Sequence, residues 1–251
     1  MQFWGMKIMY NDIQIGPFTI HGYGLMCAIG LLSGYLIAEK RAEKKGLNTD
    51  LLLNLFFACM IGCLVGGKTL YCIVEYKEFL SNPAMIFDLE NGFVIYGGLI
   101  GGFIGGWYYC KKMFIDFLEY FEMLIPSLPW AHGIGRIGCF MAGCCHGRPT
   151  DAWYGIAYIN STIAPNGIKL IPTQLISCFL LLCLSMILFY LASKKPKPGI
   201  LISVYMILYS IGRFMIEFLR SDSRGNVLFL STSQFIAIFT LLFGIYLYKR
   251  F

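Results

Sequence analysis

Residues 171–193 read IPTQLISCFLLLCLSMILFYLAS, 23 positions without a charged side chain. A helix needs about 20 apolar residues to cross the hydrocarbon of a bilayer, so this stretch predicts a membrane span. The next residues, 194–197, are KKPK. An abrupt change from apolar to cationic is what the cytoplasmic end of a span looks like.

Runs of similar length lie near 18–38, 50–73, 93–110, 117–135, 199–219 and 231–248. With 171–193 they make about seven spans, the span length being about 20 residues. Hydrophobic residues are 57% of the 251 and charged residues 14%, a composition far from that of soluble proteins. The expected fold is therefore an all-α integral membrane protein, one polytopic domain over 1–251. Glu119, Glu122, Pro126, Pro129 and His132 interrupt the fourth run, which predicts a broken or re-entrant element there.

Basic residues set the orientation, because lysine and arginine collect in short cytoplasmic loops. Lys40, Arg41, Lys44 and Lys45 follow the first span, Lys111 and Lys112 the third, Lys194, Lys195 and Lys197 the fifth, and Lys249 and Arg250 end the chain. The alternate connections carry Glu75, Glu78, Asp88, Glu90 and Asp151 instead. The N-terminus is thus expected outside, the C-terminus in the cytoplasm, and the stretch 136–170 as an outer loop. The net charge of +6 is largely this topology signal, and no nucleic-acid partner is expected.

Lys68, Arg136 and Arg213 fall inside or at the end of spans. A cation at the centre of a membrane helix costs roughly 2.5–3.5 kcal/mol on insertion scales, so it faces a partner or a watery cavity. Arg213 and Glu217 are four apart, one helix face, and can pair. One carboxylate does not balance three cations. Two explanations stay open: structural pairing with helix-end carbonyls, or an anionic ligand such as a phospholipid phosphate, which arginine grips with a bidentate fork.

Residues 135–151, GRIGCFMAGCCHGRPTD, are the most polar stretch near a span. They resemble the signature of the prolipoprotein diacylglyceryl transferase family, G-R-x-G-N-F-x-N-G-E-x-x-G. Other pieces are similar to that family in the same order: HGYGLM at 21–26, GGK at 66–68, YGGLIGG at 96–102, PTQL at 172–175 and RFMIEFLR at 213–220. The resemblance covers nearly the whole chain. It implies a multi-pass enzyme of the bacterial plasma (inner) membrane that transfers diacylglyceryl from phosphatidylglycerol to the lipobox cysteine in a prolipoprotein signal peptide, releasing glycerol 1-phosphate. It implies no cofactor, and phosphatidylglycerol, the prolipoprotein and membrane lipids as partners. Arg136 and Arg213 then correspond to the family's phosphate-binding arginines, Glu217 to the acid that orients the second, Tyr23 to a tyrosine near the lipid head, and Gly147 to the glycine closing the signature. His21, Lys68, Arg148 and Arg220 join them as substrate-binding candidates.

The chain departs from the family where a histidine is the proposed base, carrying Tyr96 there. It also has Cys139 for the signature asparagine and Cys144 for the glutamate. A phenol, with an unperturbed pKa of about 10, is a poor base near neutral pH. His21, His146 or the arginine field are alternative routes to a thiolate, and the two cysteines leave open a relative with a different acceptor. Most of the ten cysteines lie in or beside spans, where a thiol is a small hydrophobe. Cys139, Cys144, Cys145 and His146 remain, but Cys-x4-Cys-Cys-His lacks the paired spacing of zinc motifs, so no metal site is expected. An outer-face disulfide is the other alternative.

Gly97, Gly98, Gly101, Gly102, Gly105 and Gly106 recur at four-residue spacing, which lets membrane helices approach closely. His132 is read first as a satisfied structural histidine and second as a helical residue facing the cavity of Arg136; Arg148 and Asp151 either pair to brace the outer loop or dock the peptide substrate. A non-catalytic reading, an anion-binding or transporter-like protein, also accommodates buried cations. No internal repeat of the transporter kind supports it.

Overall fold

Apolar runs of this length become helices because a bilayer leaves no water to satisfy a bare backbone. The computed structural model describes residues 7–8, 12–15, 18–88, 92–221, 226–227 and 229–251. Five helices are long and apolar enough to cross a membrane: α1 Gly22–Lys45, α2 Thr49–Val74, α7 Thr173–Ser193, α8 Ile200–Glu217 and α9 Thr232–Arg250. Between them lie α3 Tyr76–Ser81, α4 Ile95–Met113, α5 Phe117–Leu124 and α6 Ser127–Met141. The third expected span coincides with α4, long enough at 19 residues but diluted in hydropathy by its glycines and tyrosines. The fourth is divided into α5 and α6, separated by Ile125 and Pro126. Pro126 and Pro129 lack the backbone N–H that a continuous helix would need there.

The chain forms two compact units, residues 39–123 and residues 1–38 with 124–251. In the first, α2 and α4 pack through glycines. A Cβ on Gly62 would strike the Gly101 carbonyl and one on Gly66 the Gly97 carbonyl, so the backbones themselves are in contact. Asn48 caps α2, its side chain accepting from the amides of Asp50 and Leu51 at 2.9 and 3.1 Å. Arg41 Nη1 closes the other end of the unit by donating to the Met123 carbonyl at 2.6 Å.

In the second unit α1 meets α6 at Gly30 and Gly34. A Cβ on Gly30 would come within 2.6 Å of the Ala131 carbonyl oxygen. Trp130 Nε1 donates to Ser33 Oγ at 3.1 Å and Ser185 Oγ to the Pro126 carbonyl at 2.7 Å, tying α6 to α1 and to α7. A capping box of Ser231 and Gln234 starts α9.

Strands are few and short. β1 Lys7–Ile8 pairs in parallel with β4 Ile156–Tyr158, which pairs antiparallel with β5 Lys169–Leu170. β2 Asp12–Ile15 and β3 Phe18–His21 form a hairpin before α1, and β6 Asn226–Val227 and β7 Leu230–Ser231 another before α9. Tyr158, Ala164 and Leu170 make a small core under the 142–172 connection, with Phe140 packed against it.

Large apolar side chains cover the outside. Phe57, Ile61, Leu64 and Val65 on α2 and Phe239, Leu242, Phe243 and Tyr246 on α9 are all exposed. Apolar surface this extensive is suited to lipid rather than water. The protein is mostly helical and a membrane protein.

The outer loop expected from residue 136 begins later. α6 continues to Met141, because Gly138 can lie against the backbone of Tyr23, where a Cβ would come within 3.1 Å of Tyr23 Cα and its carbonyl oxygen. Arg136 and Cys139 are therefore helical.

Candidate active site

His132, Arg136 and Cys139 follow one another at four- and three-residue intervals along α6, so their side chains share one stripe. Tyr209, Arg213 and Glu217 form a matching stripe on α8, with Arg220 just beyond its end. Between these helices and α7 lies a cavity of about 270 Å³. Its polar lining is His132, Arg136, Ser177, Tyr209 and Arg213; leucines and isoleucines make most of the rest.

The two arginines of the cavity are in different electrostatic states. Arg213 Nη1 lies 2.7 Å from Glu217 Oε2, a charge contact rather than an aligned hydrogen bond, because Glu217 Oε2 has no partner of hydrogen-bond geometry. Arg213 Nη2 donates to Ser233 Oγ on α9 at 2.7 Å. The same carboxylate oxygen is 4.0 Å from Arg220 Nε, so two guanidinium groups share one acid. Arg136 has no ion pair among the described residues, and its buried Nε has no hydrogen-bond partner. His132 stacks obliquely on Tyr209, ring centroids 5.9 Å apart. A half-buried guanidinium facing a cavity with no acid in its lining has the charge and donors to receive an anion.

Beyond α6 the chain folds back on itself. Gly143 and Cys145 both have left-handed backbone, φ 70° and 61°. A Cβ on Gly143 would come within 2.6 Å of Ser161 Oγ, so glycine is required there on two counts. For Cys145, which has a Cβ, the conformation is unfavourable, and neighbours hold it in place. Thr173 Oγ1 donates to the Cys145 carbonyl and Gln174 Nε2 to the Cys144 carbonyl, both at 2.7 Å. The turn brings the sulfurs of Cys139, Cys144 and Cys145 within 4.8 Å of one another. Hydrogen bonds from the Cys139 and Cys144 thiols, reinforced by the Arg220 guanidinium, hold the Cys145 thiol below its ordinary range. The same sharing of protons pushes Cys144 upward. Nearby, burial pushes the Tyr158 phenol up to about 12, against the opposing hydrogen bond from Gln174.

Gly147 closes this loop. Its amide donates to the Ile171 carbonyl at 2.9 Å, and the Arg148 amide to the Leu219 carbonyl at 3.0 Å. A Cβ at 147 would come within 2.7 Å of the Leu219 carbonyl oxygen and 2.8 Å of Ile171, which explains why the signature ends in glycine.

The remaining sequence candidates are distributed as follows. Tyr23, on the first turn of α1, is half exposed. His21 ends β3 and pairs across the hairpin with Asp12. Arg148 is exposed and forms no ion pair with Asp151, correcting that expectation; its main chain is held instead, its carbonyl accepting from the Ile171 amide at 3.1 Å. Lys68 and Tyr96 belong to the 39–123 unit. Lys68 is buried there, its ammonium donating to the carbonyls of Asp88 and Gly92 and lying 5.2 Å from the centre of the Tyr71 ring. Tyr96 is half-buried at the start of α4.

Ser233, Tyr209, Thr173 and Gln174 were not singled out as site residues. The motif PTQL held the signal for the last two: polar residues opening an apolar span must have partners. Nothing in the sequence marks Ser233 or Tyr209. None of the ten cysteines forms a disulfide among the described residues.

The profile of the prolipoprotein diacylglyceryl transferase family matches residues 11–250. A Clostridium tetani protein named phosphatidylglycerol–prolipoprotein diacylglyceryl transferase is 46% identical over 230 residues, 92% of each chain. A Clostridium perfringens protein named phosphatidylglycerol–prolipoprotein diacylglyceryl transferase 2 is 44% identical over 97% of this chain and 95% of its own. A Staphylococcus carnosus protein bearing the first of these names is 34% identical, over 95% and 89%.

Proposed function

Since the chain belongs to the prolipoprotein diacylglyceryl transferase family, we infer that it moves diacylglyceryl from phosphatidylglycerol to the thiol of a prolipoprotein's lipobox cysteine. The observation that carries this reading is Arg136: a guanidinium with no carboxylate partner among the described residues, in a largely apolar cavity lined by three helices. Such a cavity suits a lipid whose tails are apolar and whose head is anionic.

In the reaction the acceptor thiolate attacks the glycerol carbon that bears the phosphate. The carbon–sulfur bond forms, the carbon–oxygen bond breaks, and glycerol 1-phosphate leaves with the electron pair and one more negative charge. Arg136 and Arg213 supply fixed positive charge where that charge develops. Glu217 aims Arg213 and keeps two neighbouring cations, Arg213 and Arg220, from repelling one another apart. Tyr23, His21 and Arg220 flank the headgroup, and the signature loop with Cys139, Cys144, Gly147 and Arg148 receives the peptide. Lys68 fits the carbonyl-anchored alternative better than the phosphate-binding one, because its donors are already engaged.

The topology that fits is seven spans in the bacterial plasma membrane, N-terminus outside, with α5 and α6 as the broken fourth element. Catalysis then takes place at the outer end. The test is mass spectrometry of a lipobox peptide incubated with the purified protein and phosphatidylglycerol. The expected product is peptide heavier by one diacylglyceryl group. No product, together with anion flux in liposomes, would favour the pore reading instead.

A further inference from the structure

Three thiols gathered in one turn have no part in phosphate binding. We propose that Cys139, Cys144 and Cys145 form a three-thiolate site for a zinc ion whose fourth position takes the acceptor thiol. The acceptor part rests on the transferase reading; the metal site does not.

The sulfurs all lie within 4.8 Å of one another. Three thiolates at about 2.3 Å from a tetrahedral zinc are about 3.8 Å apart, so closure needs only small side-chain rotations. Among the described residues no histidine, carboxylate or further cysteine joins the group. Three protein ligands and one open position is the arrangement of catalytic rather than structural zinc.

The site is also held in advance. The Cys144 amide donates to the Cys139 carbonyl at 3.1 Å, while Thr173 and Gln174 fix the next two carbonyls from α7. Cys145 keeps an unfavourable left-handed backbone, φ 61°, with its sulfur beside the other two. Charge agrees with this assignment. Three thiolates and one divalent cation leave a net charge of −1 beside Arg220, whose side chain is only 3% exposed and hydrogen-bonds Cys145. Arg136 stands one turn before Cys139 on α6.

An open zinc position answers a chemical need. A free thiol is mostly protonated at neutral pH, whereas a thiol bound to zinc is deprotonated. The acceptor R–SH binds, its proton passes to solvent, and the zinc-held sulfur attacks the lipid carbon as above. The thioether product is a weak ligand and departs, leaving zinc on its three cysteines.

The experiment uses the full chain, purified in detergent under reducing conditions. Elemental analysis should find about one zinc per chain, and Cys139→Ser, Cys144→Ser or Cys145→Ser should each weaken binding at least tenfold, while Cys63→Ala does not. Replacing zinc with cobalt(II) should give thiolate-to-metal charge-transfer absorption. That band should grow by about one third when a lipobox peptide adds a fourth sulfur. A peptide with serine for the lipobox cysteine should leave it unchanged. The wild-type zinc content and cobalt spectrum need no variant, so a misfolded mutant does not obscure the result. Failure to bind zinc after reconstitution, binding of copper(I) alone, or a disulfide among the three would overturn the site. An unmoved spectrum, or full transfer by metal-free protein, would overturn the acceptor role and leave the transferase reading standing. A loaded, peptide-responsive centre that never lipidates its peptide would do the reverse.

Discussion

Each of the two units buries cations, and each treats them differently. In the 39–123 unit Lys68 is surrounded by main-chain carbonyls and an aromatic face, a compact ammonium satisfied where it stands. In the other unit Arg213 and Arg220 share Glu217, and Arg136 faces a cavity with no acid among its described lining. Burial alone therefore does not mark a functional charge. What distinguishes Arg136 is that no carboxylate among the described residues pairs with it.

The comparison is broken most directly at the arginines. Arg136→Ala should lower the transfer rate by about 10²–10³-fold, the usual loss when one preorganised donor to a developing oxyanion is removed. Arg213→Ala should do at least as much, since it also leaves Glu217 with only the longer contact to Arg220. Thermal unfolding should stay cooperative in the Arg136 variant, because no internal ion pair is lost. Wild-type turnover in both variants, read by mass spectrometry of the peptide, would make these cations structural like Lys68.

Gly147→Ala comes next and acts through packing. The new methyl would press on the Leu219 carbonyl and Ile171. Overpacking of this kind costs about 1–3 kcal/mol, so the melting temperature should fall and the signature loop should become sensitive to proteolysis. Glu217→Gln is milder. It keeps the shape but removes the charge that aims Arg213, and transfer should drop by roughly tenfold, about 1.4 kcal/mol of aim and attraction. Arg213 would still hold Ser233, so a wild-type rate in Glu217→Gln would show that the serine alone positions it.

Much of this was legible in the sequence, and the reasons differ by element. The spans at 171–193 and 199–219 are continuous apolar runs, and length alone finds them. The Arg213–Glu217 pair follows from helical spacing and stands at 2.7 Å. The extent of α6 was not legible, because the helix is prolonged by contact between Gly138 and α1, a fact of packing. The four residues Cys139, Cys144, Cys145 and His146 stand out in the sequence, but the closeness of three sulfurs does not, because the linear spacing Cys-x4-Cys-Cys gives no hint of it. A left-handed residue at 145, fixed by α7, gathers in space what the chain leaves apart. For Lys68 the sequence leaves carbonyl pairing and an anionic ligand equally open, and the carbonyls of Asp88 and Gly92 that receive its ammonium come from a turn that only the fold brings near.

The smallest effect should come from Tyr96→Phe, in the unit whose cation is already satisfied. The hydroxyl of Tyr96 makes no hydrogen bond among the described residues, so its removal leaves no buried group unpaired. A phenol is also a weak base at neutral pH, and a reaction relying on it would be slow. Transfer in Tyr96→Phe should therefore stay within about twofold of wild type, since only a misplaced general base would lose the usual 10²–10⁴. If the rate instead collapses, the phenol takes the thiol's proton, and the 39–123 unit contributes chemistry as well as packing.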